Sequence, residues 1–158
     1  MEPQIVQLEN VYLIGESRSM TLTEDKTIEL WKSFKPKVKM IPERKDEYFY
    51  NLSIYPEGFE WNTFACDTCF TRWAAVHVPS NDEPPESMES FTLNGGLYAV
   101  FIHKGPAQTF VRTLNTIFNE WLPNSLYDLD ERPHFERMGP EYRMDDLNAE
   151  EEVWIPIK

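Results

Sequence analysis

Hydrophobic residues recur at helical spacing in two segments of the chain. The longer segment, PAQTFVRTLNTIFNEWL (106–122), has an apolar stripe that predicts an amphipathic helix. Pro106 lies in the first turn, where proline costs no hydrogen bond, and Pro123 is expected to end the helix. The stripe consists of Phe110, Val111, Leu114, Ile117, Phe118 and Trp121.

The second helical pattern lies in TLTEDKTIELWKSFKPK (21–37). Thr21 and Glu24 have the spacing of a capping box, which is typical of a helix start. Leu30 and Phe34 are four residues apart and therefore share one face. Pro36 is expected to end this helix.

Runs rich in β-branched and aromatic residues predict strands between and around the two helices. They are QIVQLENVYLIGESRSM (4–20), DEYFYNLSIYP (46–56), FACDTCFTRWAAVHV (64–78), ESFTLNGGLYAVFIHKG (89–105), RPHFERMG (132–139) and EEVWIPIK (151–158).

A polar, proline-containing segment, SNDEPPES, divides the chain into two similar halves. We interpret residues 80–89 as a linker between a half at about 1–79 and a half at about 90–158. Each half has the order strand, helix, strand, strand. The prediction is one α+β domain in which both halves contribute to an antiparallel sheet system. Both helices would cover one face, and a ligand groove would follow the seam on the other face.

Charge and composition narrow the classes of partner. The chain has 15 Lys and Arg against 27 Asp and Glu, a formal charge of −12. Such a chain repels phosphate backbones, so we expect no direct nucleic-acid binding and favour cationic ligands or basic proteins. We expect a cytoplasmic protein without a membrane span, because no apolar run is long enough for one and no secretory signal is recognisable.

The chain shows no motif for a metal, a cofactor or a familiar catalytic centre. Cys66 and Cys69 form a CxxC, but in a strand they would point to opposite faces, so we interpret them as ordinary strand cysteines. We find no nucleophile elbow, phosphate-binding loop or HExxH. No catalytic residue, metal ligand or cofactor is therefore predicted.

Strand alternation gives the candidate carboxylates. In HFERM, Phe135 is expected to face the helices, which would put Glu136 in the groove with His134 and Met138. In the last strand, the apolar row Val153, Ile155 and Ile157 suits the helix side, so Glu152, Trp154 and Pro156 would share the groove side. Alternatively, either glutamate is a solvated strand-edge residue.

Aromatic rings beside these carboxylates would attract a lipophilic cation. The candidate walls are Trp73, Tyr50, Trp154 and Tyr98, and each could instead belong to the core. We assign Trp31 and Trp121, which lie on the helix stripes, to the core.

Several of these segments resemble one known family. GGLYAVFIHKGP, the helix end EWLP, the strand HFER and the terminal EVWIPIK resemble the C-terminal half of GyrI-like small-molecule-binding proteins. IELWKSF and FTRWAAVHV resemble the family's first helix and third strand. The same fold serves as the effector-binding domain of AraC-type and multidrug-responsive bacterial transcription regulators.

The resemblance implies a groove between pseudo-symmetric halves, in which an acidic residue meets a cationic or polar ligand among aromatic rings. By this resemblance, Glu136 and Glu152 match the carboxylates of the family's FE strand and terminal strand. Met138 departs from the pattern, because a tyrosine is usual at that position.

Three functions remain open from the sequence. The first is a stand-alone effector-binding protein that captures an amphipathic, cationic small molecule. The second is a hydrolase of strained electrophiles that uses Glu136 or Glu152 with Tyr50 or Tyr98. The third is an acidic module that engages a basic protein surface, as a topoisomerase inhibitor would.

Overall fold

The computed structural model describes all 158 residues. It has one eight-stranded antiparallel sheet and two helices, and the predicted α+β class is confirmed. Helix α1 spans Thr27–Phe34 and α2 spans Phe110–Thr116. The strands are β1 Gln4–Leu8, β2 Val11–Met20, β3 Phe49–Ile54, β4 Phe70–Val78, β5 Glu89–Leu93, β6 Gly96–Lys104, β7 His134–Met138 and β8 Glu150–Pro156.

The strand order reveals two equivalent halves. The order is β1-β6-β8-β7-β3-β4-β2-β5, and it maps onto itself when the strands of one half are exchanged for those of the other. Each half therefore reads strand, strand, helix, strand, strand, because the first predicted strand of each half is split in two. The pseudo-twofold axis passes between β3 and β7, which form the seam.

The sheet curls until its two ends meet. Strands β1 and β2 are joined by Glu9 and Asn10 alone, although they occupy opposite ends of the sheet. Strands β5 and β6 make the equivalent short connection. The two connections touch, since the Gly95 amide donates to the Asn10 side-chain oxygen at 2.8 Å. A side chain at Gly95 would lie 2.3 Å from the Leu8 carbonyl oxygen, so this crossing favours glycine.

Curling gives the sheet an inner and an outer face, and both faces are apolar. The inner face holds an eleven-residue core that draws on β2 to β8. The outer face carries both helices: α1 packs on β2 and β4, and α2 packs on β6 and β8. The prediction that both helices lie on one side of the sheet agrees with this arrangement.

The second helix is irregular at both of its ends. Residues Ala107–Thr109 form a 3₁₀ turn before α2, Ile117–Trp121 form a π-helical turn after it, and helical structure continues to Asn124. The predicted stripe holds for Ile117 and Phe118, which are buried, whereas Val111 is 51% exposed. The first helix continues as a 3₁₀ segment, Lys35–Met40, which contains Pro36.

The prediction for the two cysteines was wrong. Cys66 and Cys69 lie before β4 rather than within it, and both thiols are exposed and free. A turn closed by the Thr68 amide and the Ala65 carbonyl ends the strand pattern at this point. No helix of the structure has the length and the apolar character that a membrane span requires.

Candidate functional site

The outer face of the seam carries a polar row between the two helices. Asn51 of β3 lies directly opposite Glu136 of β7. The Asn51 amide nitrogen lies 3.5 Å from Oε1 of Glu136, and the Trp31 indole N–H donates to the Asn51 oxygen at 3.0 Å. Glu136 is therefore linked to α1 through one amide, while α2 lies on the other side of the seam.

Glu151 is the second carboxylate of this site. It lies two residues before Val153, which is opposite Glu136, so Glu151 shares the outer face as a diagonal neighbour. Diagonal neighbours on adjacent strands are about 7–8 Å apart. Glu151 is only 8% exposed, whereas Glu136 is partly buried. We call Glu136 and Glu151 the acid pair.

Neither member of the acid pair forms an ion pair with any residue of the chain. His103, opposite Glu151 on β6, is committed elsewhere: its two ring nitrogens bond to the Thr113 hydroxyl and the Pro106 carbonyl. Arg72 also bonds elsewhere, to Thr27 and Ser53. Two carboxyl groups are thus held in poorly hydrated surroundings without an ion-pair partner, which is costly for their charged forms.

The electrostatics of the acid pair follow from this geometry. Burial raises the pKa of Glu136 from its usual 4.5 to about 7, although Arg72 and the Asn51 hydrogen bond act in the opposite direction. Burial also raises the pKa of Glu151 to about 8, and the neighbouring Glu136 charge acts in the same direction. At neutral pH the empty site therefore retains at least part of its protons.

The loop between β7 and β8 brings Tyr142 near the acid pair. Burial and the charges of Glu151 and Glu136 raise the pKa of the Tyr142 hydroxyl, so this phenol stays protonated near the pair. The loop around Tyr142 is attached to the start of α2, because the Ala107 amide donates to Met144 and the Gly105 amide donates to Ala149.

An aromatic cluster continues the site along the seam. His134 shares the outer face with Glu136 two residues away, and its ring lies 5.0 Å from that of Tyr55 and 5.4 Å from that of Phe59. Tyr55 and Phe59 stack at 4.0 Å. The cluster comprises Tyr55, Phe59, Trp61, Phe64, Phe118 and His134. Burial lowers the pKa of His134 to about 3, so its ring is neutral.

A cavity of about 280 Å³ adjoins this cluster. Its lining includes Tyr55, Phe59 and His134 together with Asp130 and Arg132. A different cavity, of about 460 Å³, lies away from the seam between residues 41–43 and the linker. We place the candidate site at the seam because the acid pair and the aromatic rings converge there.

The sequence-based assignment of strand faces was wrong for β7 and right for β8, where Val153, Ile155 and Ile157 do face the helices. Phe135 does not face the helices: it lies on the inner face and stacks on Trp154 at 5.0 Å. Glu136 and Glu152 consequently lie on opposite faces. Glu152 is not an unpaired carboxylate, since Arg137 binds both of its oxygens at 2.6 and 3.2 Å and the Trp154 indole donates to it at 2.9 Å.

All four aromatic residues predicted as groove walls belong to the inner core. Tyr50, Tyr98, Trp73 and Trp154 are buried there with Phe135. The Tyr50 hydroxyl donates to Asp46 at 2.8 Å and the Tyr98 hydroxyl to the Pro133 carbonyl at 2.9 Å. These four residues therefore stabilise the fold and do not surround Glu136.

Sequence reasoning missed Glu151 and the aromatic cluster. A signal for Glu151 was present, because it alternates in phase with Val153 and Ile155, the row that correctly faces the helices. The aromatic residues of the cluster lie mostly in EGFEWNTF, which has no strand or helix period that could have assigned them to a face.

Comparison with known proteins identifies the family. The family model described as "GyrI-like small molecule binding domain" matches residues 1–158. None of the curated proteins searched matches the chain.

Solved structures share the fold at low sequence identity. SAV2435 bound to tetraphenylphosphonium superimposes with a TM-score of 0.72 at 17% identity, and the match covers 100% of this chain and 94% of SAV2435. EcmrR in its complex with DNA matches with a TM-score of 0.73 at 12% identity, over 99% of this chain and 57% of EcmrR. A hydrolase from Listeria innocua matches with a TM-score of 0.62 at 10% identity, over 99% of this chain and 92% of the hydrolase.

Proposed function

The chain belongs to the GyrI-like small molecule binding domain family, and from this premise we propose that it captures an amphipathic cation at the seam between its halves. The observation that carries the proposal is the acid pair, two carboxyl groups without an ion-pair partner beside a cluster of aromatic rings. A bound cation would supply the missing charge, and ring faces would contact its apolar body.

The comparisons support the same class of ligand. SAV2435, whose fold is similar, binds a lipophilic cation, and EcmrR carries a domain of this fold in a DNA-bound protein. We therefore propose an effector-binding role in which Glu136 is the principal charge partner. The aromatic cluster and the adjoining cavity are the proposed region for the apolar part of the ligand.

Titration with tetraphenylphosphonium at pH 8 and pH 5 tests this proposal. Trp31 reports on the site through its bond to Asn51, so binding is expected to change tryptophan fluorescence. A carboxyl group with a pKa of about 7 is mostly ionised at pH 8 and mostly neutral at pH 5. We expect the affinity to fall by at least about tenfold between the two pH values.

Two variants test whether the ligand binds at the seam and not at the inner face. Glu136→Gln should weaken binding at pH 8 and flatten its pH dependence. Asp46→Asn, which changes a carboxylate on the other side of the sheet near Tyr50, should leave binding unchanged. Equal affinity of the wild-type protein at both pH values, or equal effects of the two variants, would contradict the proposal.

A second candidate function is hydrolysis of an electrophilic small molecule. The observation that favours it is a carboxyl group with a pKa near neutrality close to the protonated Tyr142, an arrangement suited to general acid–base chemistry. Incubation with small-ring alkylating agents and mass spectrometry of the products distinguishes the two functions. Catalytic amounts of hydrolysed product that disappear in Glu136→Gln would favour hydrolysis, whereas stoichiometric binding without product favours capture.

A further inference from the structure

The acid pair contains two carboxyl groups, and a ligand with one positive charge compensates only one of them. Glu136 and Glu151 lie on adjacent strands, on the same face and on a diagonal. The backbone positions of such diagonal neighbours are about 7–8 Å apart, so the two strands present the two carboxyl groups from separate points of the face. The site therefore offers two distinct positions for positive charge.

No group around the pair forms an ion pair with either carboxyl group. The charge of Arg72 lowers the pKa of Glu136, but its guanidinium donates to the Thr27 and Ser53 hydroxyls and does not contact the carboxylate. Toward Glu151, His103 is held by Thr113 and Pro106, and Tyr142 is a neutral phenol. His134 and Tyr55, farther along the seam, are also neutral.

We propose that the acid pair selects ligands with two positive charges, with Glu136 and Glu151 each neutralising one of them. This inference rests on the proposed function, since it concerns the same site. It goes further by assigning Glu151 a specificity role and by restricting the ligand class to dications such as bis-ammonium or bis-amidinium compounds.

Proton linkage distinguishes one-charge from two-charge binding. Near pH 6.5 both carboxyl groups of the empty site are largely protonated, because burial raises their pKa values to about 7 and about 8. A monocation should displace at most one proton, whereas a dication that ionises both groups should displace nearly two.

The test compares pentamethonium, which has two trimethylammonium groups joined by a short chain, with pentyltrimethylammonium, which has one. Tetraphenylphosphonium serves as the reference monocation. Calorimetry in two buffers of different ionisation enthalpy gives the affinity and the number of protons released. We expect pentamethonium to bind at least about tenfold more tightly than pentyltrimethylammonium at pH 8, and to release more protons at pH 6.5.

Glu151→Gln identifies the second position. In this variant pentamethonium and pentyltrimethylammonium should bind with similar affinity, and the proton release by pentamethonium should fall by about one. Retention of the Trp31 fluorescence signal with tetraphenylphosphonium shows that the variant is folded.

Each result decides between the two proposals. If tetraphenylphosphonium binds through Glu136 but pentamethonium has no advantage, or retains it in Glu151→Gln, the dication inference is wrong and the proposed function stands. If none of the three compounds binds, the proposed function itself fails, and the inference fails with it.

Discussion

At the scale of single residues, two glutamates one position apart in the chain have opposite roles. The charge of Glu152 is compensated by a bidentate ion pair with Arg137 on the inner face. Glu151, its neighbour, is on the outer face without an ion-pair partner, as is Glu136 on the adjacent strand β7. A strand reverses the environment of its side chains at every residue, so one step decides whether a carboxylate stabilises the fold or opposes it.

The acid pair should make stability depend on pH. A carboxyl group whose pKa is raised by folding is protonated in the folded state at pH values where the unfolded chain is already ionised. Its ionisation therefore destabilises the empty protein as the pH rises from about 4.5 through about 8. Glu136→Gln and Glu151→Gln should each raise the free energy of unfolding at pH 8.5, by roughly 1–3 kcal/mol, with a much smaller gain at pH 5. Urea unfolding at both pH values measures this difference.

Glu152→Gln is the matched control, and its effect should have the opposite sign. The substitution removes the charge partner of a half-buried Arg137, so we expect a loss of about 1–3 kcal/mol in the free energy of unfolding at pH 7. A stabilising effect of Glu152→Gln, or a destabilising effect of Glu136→Gln at pH 8.5, would show that these assignments are reversed.

Alternation along β7 and β8 identified which residues share a face, but it could not say which face carries the helices. Glu136 was correctly grouped with His134 and Met138, and Glu152 with Trp154. The error arose because Phe135 was assigned to the helix side on hydrophobicity alone. Both faces of this curled sheet are apolar, so a phenylalanine can be buried equally well on either face.

At the scale of elements, the irregular second helix links the fold to the site. The π-helical turn after α2 contains Phe118, whose ring stacks on Trp61 at 5.2 Å and lies 6.0 Å from that of His134. Helical periodicity predicted the element and its buried stripe. It could not predict the π turn, because Phe118 in this turn contacts Trp61, which is far away in the sequence.

Phe118→Ala should therefore loosen the aromatic cluster. Removing a large, buried ring from the core costs roughly 3–5 kcal/mol, and the segment around Trp61 loses its contact with the helix. Urea unfolding gives the stability change, and limited proteolysis should show faster cleavage within residues 56–69.

Val111→Ala, on the exposed side of the same helix, is the control and should change the free energy of unfolding by less than about 0.5 kcal/mol. Similar effects of both variants would mean that the π turn does not anchor the cluster.

At the scale of the whole molecule, the repeat of element order correctly predicted two halves that share one sheet. The exchange of edge strands was not predictable from local pattern: β1 leaves its own half to pair with β6, and β5 pairs with β2. Residues 4–20 look like one long strand because Glu9 and Asn10 interrupt the apolar pattern without a glycine or proline. The exchange follows from the curl of the sheet, which is a property of all eight strands together.

Gly95 tests whether the crossing of the two short connections holds the ends of the sheet together. A methyl group there would meet the backbone of Leu8 and Glu9 at 2.3–3.0 Å, and neither backbone can move without displacing β1 or β2. We expect Gly95→Ala to cost about 1–3 kcal/mol in the free energy of unfolding, as overpacking of this kind does. Hydrogen exchange should also accelerate in the edge strands β1 and β5, since these strands depend on the crossing for their position.

Gly139→Ala is the matched control, because nothing lies within 4 Å of the added methyl group, and it should be nearly neutral. Equal stability of the two variants would show that the ends of the sheet are joined by their core contacts alone, with no contribution from the crossing.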